Sequence, residues 1–181
     1  MSTSTHQEHP GRFAGMATTP PATVPRLTSE QVWHAVTKAS FAVISHVTPA
    51  GEPRSSGVVY ITGGDRMYVA VAEDSWKARH IAADGHISVT VPVRRGGILS
   101  LLMPIPPATI SFPAIAAVRS ADDLRGSPML DRLTPLLPAE RRESSAIIEI
   151  RPVGHFVTYG VGVSLTQMRE PVLARARVPV R

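Results

Sequence analysis

The side chains best suited to chemistry in this sequence are cationic and grouped. Arg54 opens one apolar run, and Ser75, Lys77 and Arg79 follow the end of another. Arginine binds phosphate through a planar fork and lysine as a point charge. A serine at the start of a helix adds its hydroxyl to backbone N–H groups that lack helical partners, and that end of the helix favours an anion. Ser55, Ser56 and Gly57 follow Arg54 directly and are small enough to let a flat ring or flexible chain approach the backbone. The chemistry open to this set is to hold a phosphorylated small molecule. Each cation alone would read as a solvated surface charge, so the grouping carries the reading. Trp76, between Ser75 and Lys77, suits either a stacking role or the filling of an interface.

Other chemistries lack their residues. There is no cysteine, which removes disulfides, thiolate nucleophiles and Cys-based metal centres. No Gly-x-Ser-x-Gly elbow occurs, and the seven histidines lack zinc-ligand spacing. His34, His80 and His86 read as surface or packing residues.

The elements that must position the cationic set follow from periodicity. Thr28 and Gln31 have the spacing of a capping box, and Val32, Val36 and Ala39 share a helical stripe, so a helix is expected over 29–39. Three β-type runs follow, 41–47, 54–61 and 66–71, with turns at 48–53 and 62–65; the short connections predict an antiparallel meander. In such a meander the second and third runs are neighbours, which brings Arg54 toward Ser75 and Lys77. Asp74 or Ser75 can cap a second helix, with Gly85 ending it in the left-handed conformation. His86 to Val93 alternates strictly, and Pro92 marks an edge or a loss of pairing. Further strands are expected at 108–118, with Pro113 at an edge or bulge, and at 145–150 and 153–161. Residues 120–144 read as helix and loop. The class is mainly β, with short helices.

Hydrophobic residues make up 43% and charged residues 18%, an ordinary globular balance that excludes a disordered chain. The net charge of +5 is concentrated toward the end, where Arg169, Arg175, Arg177 and Arg181 face only Glu170. That stretch, 166–181, reads as a basic tail, solvated or packed on a partner. It has no interleaved aromatics of the kind single-stranded nucleic acid requires, so nucleic acid is not an expected partner. Residues 1–26 are polar and proline-bearing without an apolar signal segment, and read as a mobile arm. The most apolar stretch, Gly96 to Val118, is broken by Pro104, Pro106, Pro107 and Pro113, which rules against a membrane-spanning helix. Within it, Ile98 to Pro107 reads as core, interface or a greasy wall favouring a lipophilic substrate.

From Val32 to Val93 the order of motifs resembles the pyridoxamine 5′-phosphate oxidase-like split barrels. The resemblance rests on Ala39-Ser40-Phe41-Ala42-Val43-Ile44, then Gly51-Glu52-Pro53-Arg54, and then Met67-Tyr68-Val69-Ala70 leading into Ser75-Trp76-Lys77-Ala78-Arg79-His80-Ile81. Asp84-Gly85-His86-Ile87-Ser88-Val89-Thr90-Val91 closes it. The Ser-x-Lys pattern before an alternating strand is its most specific part. The resemblance implies a six-stranded antiparallel split β-barrel with short flanking helices over 27–165, a cytoplasmic homodimer, and FMN or the deazaflavin F420 at the dimer interface. The implied activity is a flavin- or F420-dependent oxidoreductase acting on a small molecule. The implied cofactor-binding residues are Arg54, Ser55, Ser56, Gly57, Ala70, Ser75, Trp76, Lys77 and Arg79. With a cofactor carrying the hydride, no protein nucleophile or metal is required. Some relatives bind haem, and the alternative is a non-enzymatic protein on the same fold that holds haem, a flavin or a lipophilic ligand; with haem, His46 or His155 would be the axial ligand. The chain departs from pyridoxamine phosphate oxidases in one respect. Their C-terminal Arg-x-His pattern is missing, since no histidine follows His155, and this argues against vitamin B6 as substrate.

Overall fold

The computed structural model describes residues 27–95, 106–120, 122–124, 126–136 and 144–180. The arm at 1–26 and the apolar residues 98–105 lie outside the described residues. Helix α1 spans Ser29–Lys38, and its capping box is formed: Thr28 Oγ1 accepts from the Gln31 N–H while the Gln31 side chain accepts from the Thr28 N–H. Strands follow at β1 (Phe41–Val47), β2 (Pro53–Val59), β3 (Ile61–Gly63) and β4 (Arg66–Ala72). Helix α2 (Trp76–Ala83) precedes β5 (His86–Val93) and the long β6 (Ala108–Ser120). Then come α3 (Pro128–Leu133), β7 (Ser145–Pro152), β8 (His155–Tyr159), α4 (Pro171–Ala174) and β9 (Arg175–Pro179).

All strand pairs are antiparallel and belong to one sheet ordered β2-β1-β5-β6-β7-β4-β3, with β8 on β6 and β9 on β8. The sheet curls so that β2 and β4, remote in this order, come into contact without pairing. That unpaired seam is the split of the barrel.

The interior is filled by alternate residues, as the pleat requires. Ala42 and Ile44 of β1 meet Ile87, Val89 and Val91 of β5 and Ile110, Phe112 and Ala114 of β6. Val32 and Val36 of α1 and Ile81 of α2 join the same core. Full burial of one such aliphatic side chain contributes about 1.5–3 kcal/mol, so the strand alternation and the helical stripe together specify which way each element faces. Phe112 and Phe156 meet edge-on at 5.2 Å, and Trp33 meets Phe156 edge-on at 5.7 Å.

Several expectations change. The run 54–61 is two strands, not one. The chain breaks at Tyr60, whose buried hydroxyl donates to the Val36 carbonyl at 2.6 Å, so β2 pairs with β1 while β3 pairs with β4. The meander therefore ends at β2. Nine strands replace the expected six, partly because of this break and partly because the stretch read as a basic tail contributes β9, which buries Val178 against the core. Arg175 and Arg177 alternate outward around inward-facing residues, so a charged composition concealed a strand. The strand 145–150 continues through Pro152, and the turn falls at Gly154 with φ +69°.

Gly85 does not adopt a left-handed conformation: among the described residues it is absent from the positive-φ set. Its constraint is space. A Cβ there would stand 2.4 Å from the Ala116 carbonyl oxygen. Both prolines sit where pairing changes. Pro92 lies past Thr90, the last β5 residue paired with β1, and Pro113 lies where β6 exchanges β8 for β7 as neighbour.

Candidate functional site

The seam between β2 and β4 holds a cleft of about 210 Å³. Gly57, Val58 and Val59 form one wall and Val69, Ala70 and Val71 the other, with Lys77 of α2 and Leu133 of α3 also lining it. Of the expected residues, Gly57, Ala70 and Lys77 are thus brought to one place. Burial depresses the pKa of the Lys77 ammonium below the ordinary lysine value, so an anion beside it would offset the cost of keeping that charge.

Ser75 caps α2: its hydroxyl oxygen accepts from the Ala78 N–H at 3.2 Å, leaving its own O–H free to donate to a ligand. Trp76 is 43% exposed and stacks on His46, with ring centroids 5.6 Å apart and planes at 25°. The Lys77 ammonium stands 6.0 Å from the Trp76 ring centroid. Arg54 is directly opposite His46 in the β1–β2 register and forms an exposed ion pair with Glu52 at 2.9 Å. An exposed pair of this kind contributes at most about 1 kcal/mol and separates readily.

Strand alternation divides the run Arg54–Gly57. Ser55 lies on the outer face, where its hydroxyl bonds Ser45 at 2.8 Å. Ser56 lies across from Ile44 with its oxygen buried and lacking a hydrogen-bond partner. The four residues therefore do not present one continuous surface, because successive side chains of a pleated strand point to opposite faces. Gly57 reaches the cleft, but the space its missing side chain leaves is held by Phe41, whose ring atoms would lie 2.8 Å from a Cβ. Arg79 is exposed on α2, away from the cleft lining.

Sequence reasoning missed a histidine pair. His46 is 4% exposed, and its Nε2 lies 3.2 Å from Nδ1 of His80 on α2. Its other ring nitrogen, Nδ1, is buried with no partner. Burial, then the charges of His80, Lys77 and Arg54, hold the His46 pKa below its usual value. The signal was available: His46 continues the inward set Ala42 and Ile44 along β1. As a haem ligand His46 would have to break its Nε2 contact with His80 or expose its buried Nδ1. His155 is half-buried at the start of β8, which neighbours β6 and β9 and not the seam. Among the described residues no group of three or more His, Asp or Glu is placed to hold a metal.

No protein-family model matches the sequence, and no curated protein does. Solved structures do match. General Stress Protein 26 from Bacillus anthracis str. Sterne is 17% identical with a TM-score of 0.54, the match covering 72% of this chain and 92% of that one. An F420 reductase is 19% identical with a TM-score of 0.50, over 68% of this chain and 93% of that one. A heme binding protein from Mycobacterium smegmatis is 17% identical with a TM-score of 0.59, over 75% of this chain and 55% of that one. At such identities the likeness is one of fold. The architecture is that of the pyridoxamine 5′-phosphate oxidase-like split barrels.

Proposed function

We propose that this protein is a flavin- or deazaflavin-dependent oxidoreductase that holds its cofactor along the β2–β4 cleft and works as a homodimer. One observation carries the reading: a slit between two unpaired strands, lined by Gly57 and Ala70, ends at the cationic first turn of α2. The small side chain of Ala70 leaves room beside the backbone for a flat ring, and on the Gly57 side the ring of Phe41 would have to swing aside to admit it. Lys77, the free O–H of Ser75 and Arg54, once released from Glu52, would hold the phosphate. The cofactor, when bound, supplies the hydride chemistry. The protein supplies position, an apolar wall at Val59, Val69, Val71 and Leu133, and the electrostatic pull of Lys77.

The size of the cleft favours a second copy. Cofactor-sized pockets enclose about 300–1,000 Å³, more than the 210 Å³ of one chain. Around the slit Phe41, Val59 and Trp76 are 43–55% exposed, which is costly for residues of this type unless something covers them. A partner subunit over this face would enlarge the pocket and bury them together. No helix among the described residues is long and apolar enough to cross a membrane. The substrate is a small molecule able to enter beside the ring.

The test is an absorbance and fluorescence titration with FMN, F420 and haem on the wild type and on Lys77→Ala. Saturable binding of a flavin or deazaflavin, weakened about tenfold or more in the variant, is the expected result, since a charge-assisted phosphate contact contributes about 1.5–3 kcal/mol. A Soret band without flavin binding would support the haem-protein alternative and overturn this one.

A further inference from the structure

We infer that the His46–His80 pair is the proton-accepting part of the phosphate subsite, so that the site takes a phosphomonoester dianion together with a proton. The inference rests on the reading of the cleft as a cofactor site. It adds two residues to that site and a choice among ligands.

Four basic side chains from three elements converge at this end of the barrel. Arg54 comes from β2, His46 from β1, and Lys77 and His80 from α2. His46 and His80 are in hydrogen-bond contact at 3.2 Å, and Trp76 closes over the His46 ring at 5.6 Å. Because Trp76 and Lys77 are adjacent on the first turn of α2, the pair lies just behind the proposed phosphate anchors. A hydrogen bond between two imidazoles needs one donor and one acceptor. The tautomer in which His46 Nε2–H donates to His80 Nδ1 leaves the buried His46 Nδ1 as a bare acceptor and not an orphaned N–H, so it is the less costly one. The pair is then neutral overall.

The charged groups acting on His46 are all positive: His80 when protonated, Lys77 and Arg54. Glu52, the acid near Arg54, is exposed and engaged with it. Without an anion this field resists a further proton. A phosphate dianion between Arg54 and Lys77 cancels their two positive charges, and the pair then gains a proton on binding. A monoester, carrying close to two charges above pH about 6, drives this more strongly than a singly charged phosphodiester. The subsite therefore favours FMN over F420, whose phosphate is a diester.

Sign follows from linkage. Binding raises the proton affinity of the pair, so FMN affinity is greatest at the acid end and falls as pH rises through the bound-state titration. One linked proton limits the change to about tenfold per pH unit.

The experiment is calorimetric titration of the full chain with FMN, F420 and riboflavin between about pH 6.5 and 8.5, in buffers of differing ionisation enthalpy, on the wild type and on His80→Asn. Uptake of a proton with FMN, affinity falling with pH, and a flat response to phosphate-free riboflavin are expected. His80→Asn should bind FMN but lose the uptake; His80→Gln replaces it if the first variant melts early by circular dichroism. FMN binding without uptake, or with unchanged uptake in the folded variant, overturns the inference and leaves the cofactor reading standing. Preference for F420 over FMN overturns the choice of ligand. Failure of the wild type to bind any of the three at any pH refutes the cofactor reading, and the inference with it.

Discussion

Replacing Gly85 by alanine tests how tightly α2 is set against the sheet. The added Cβ would lie 2.4 Å from the Ala116 carbonyl oxygen, where carbon–oxygen contacts normally stand at about 3.3 Å or more. The Cβ is fixed to the backbone at Gly85 and the oxygen is backbone of β6, so neither can rotate away; the two segments must part by nearly an ångström. The same two residues share a hydrogen bond, Ala116 N–H to the Gly85 carbonyl at 2.8 Å, which the parting would stretch. Overpacking costs about 1–3 kcal/mol and a weakened backbone bond about 0.5–1.5. Stiffening of the unfolded chain returns about 0.4–1. The midpoints leave a net loss of about 2 kcal/mol within limits of about 0.5–4, or a melting temperature lower by roughly 4–8 °C for a chain of this size. Urea unfolding followed by circular dichroism reads it, with Gly51→Ala as the control. Gly51 has φ +83° and open space around it, so its variant should lose only about 1–2 kcal/mol, from backbone strain alone. If Gly85→Ala were as stable as the wild type, or less affected than Gly51→Ala, the steric argument would fail.

Other expectations are more local. Leu133 is 1% exposed and lines the cleft, so Leu133→Ala should cost about 2–5 kcal/mol in urea unfolding and weaken flavin binding; unchanged values for both would remove α3 from the wall. His46 has a folded-state pKa below the reference of 6.5. Its contribution is therefore complete above pH 6.5 and is lost as pH falls below it, where the unfolded chain binds a proton that the folded chain resists. His46→Gln should flatten the decline of melting temperature on acidification, and a slope identical to the wild type would show that the burial of this ring is not what resists protonation.

Much of the barrel was legible because its strands obey a period of two. Ile87, Val89 and Val91 alternate with His86 and Ser88, and the structure buries the first set. The capping box of α1 was equally direct, since Thr28 and Gln31 act over three residues. What stayed hidden depends on contacts far apart in sequence. Nothing near Tyr60 announces a break between two strands; the cause is a carbonyl on α1, 24 residues earlier. Gly85 carries the residue type of a helix terminator, yet its neighbour is Ala116 on another strand. The grouping of Lys77 with Gly57 and Ala70 followed from motif order. The division of Ser55 from Ser56 was implicit in the pleat, and so was the inward direction of His46. Its pairing with His80 required the placement of a helix, which local pattern does not supply.

The unpaired seam between β2 and β4 also bears on how such a barrel changes over evolutionary time. Elsewhere in the sheet, a wall residue is answerable to a ladder: alter it and the register of a neighbour is at stake. Along the seam no ladder joins the two walls: Val59 pairs only with Phe41 of β1 and Ala70 with Ile147 of β7, each on the side away from the cleft both line. Substitutions there can widen, narrow or recharge the slit while the hydrogen-bonded framework stays intact. The barrel thus gives its more exposed lining residues, Val59 and Ala70 among them, latitude to vary with the ligand that the buried Val58, Val69 and Leu133 of the same cleft lack, and it does so by leaving β2 and β4 unjoined.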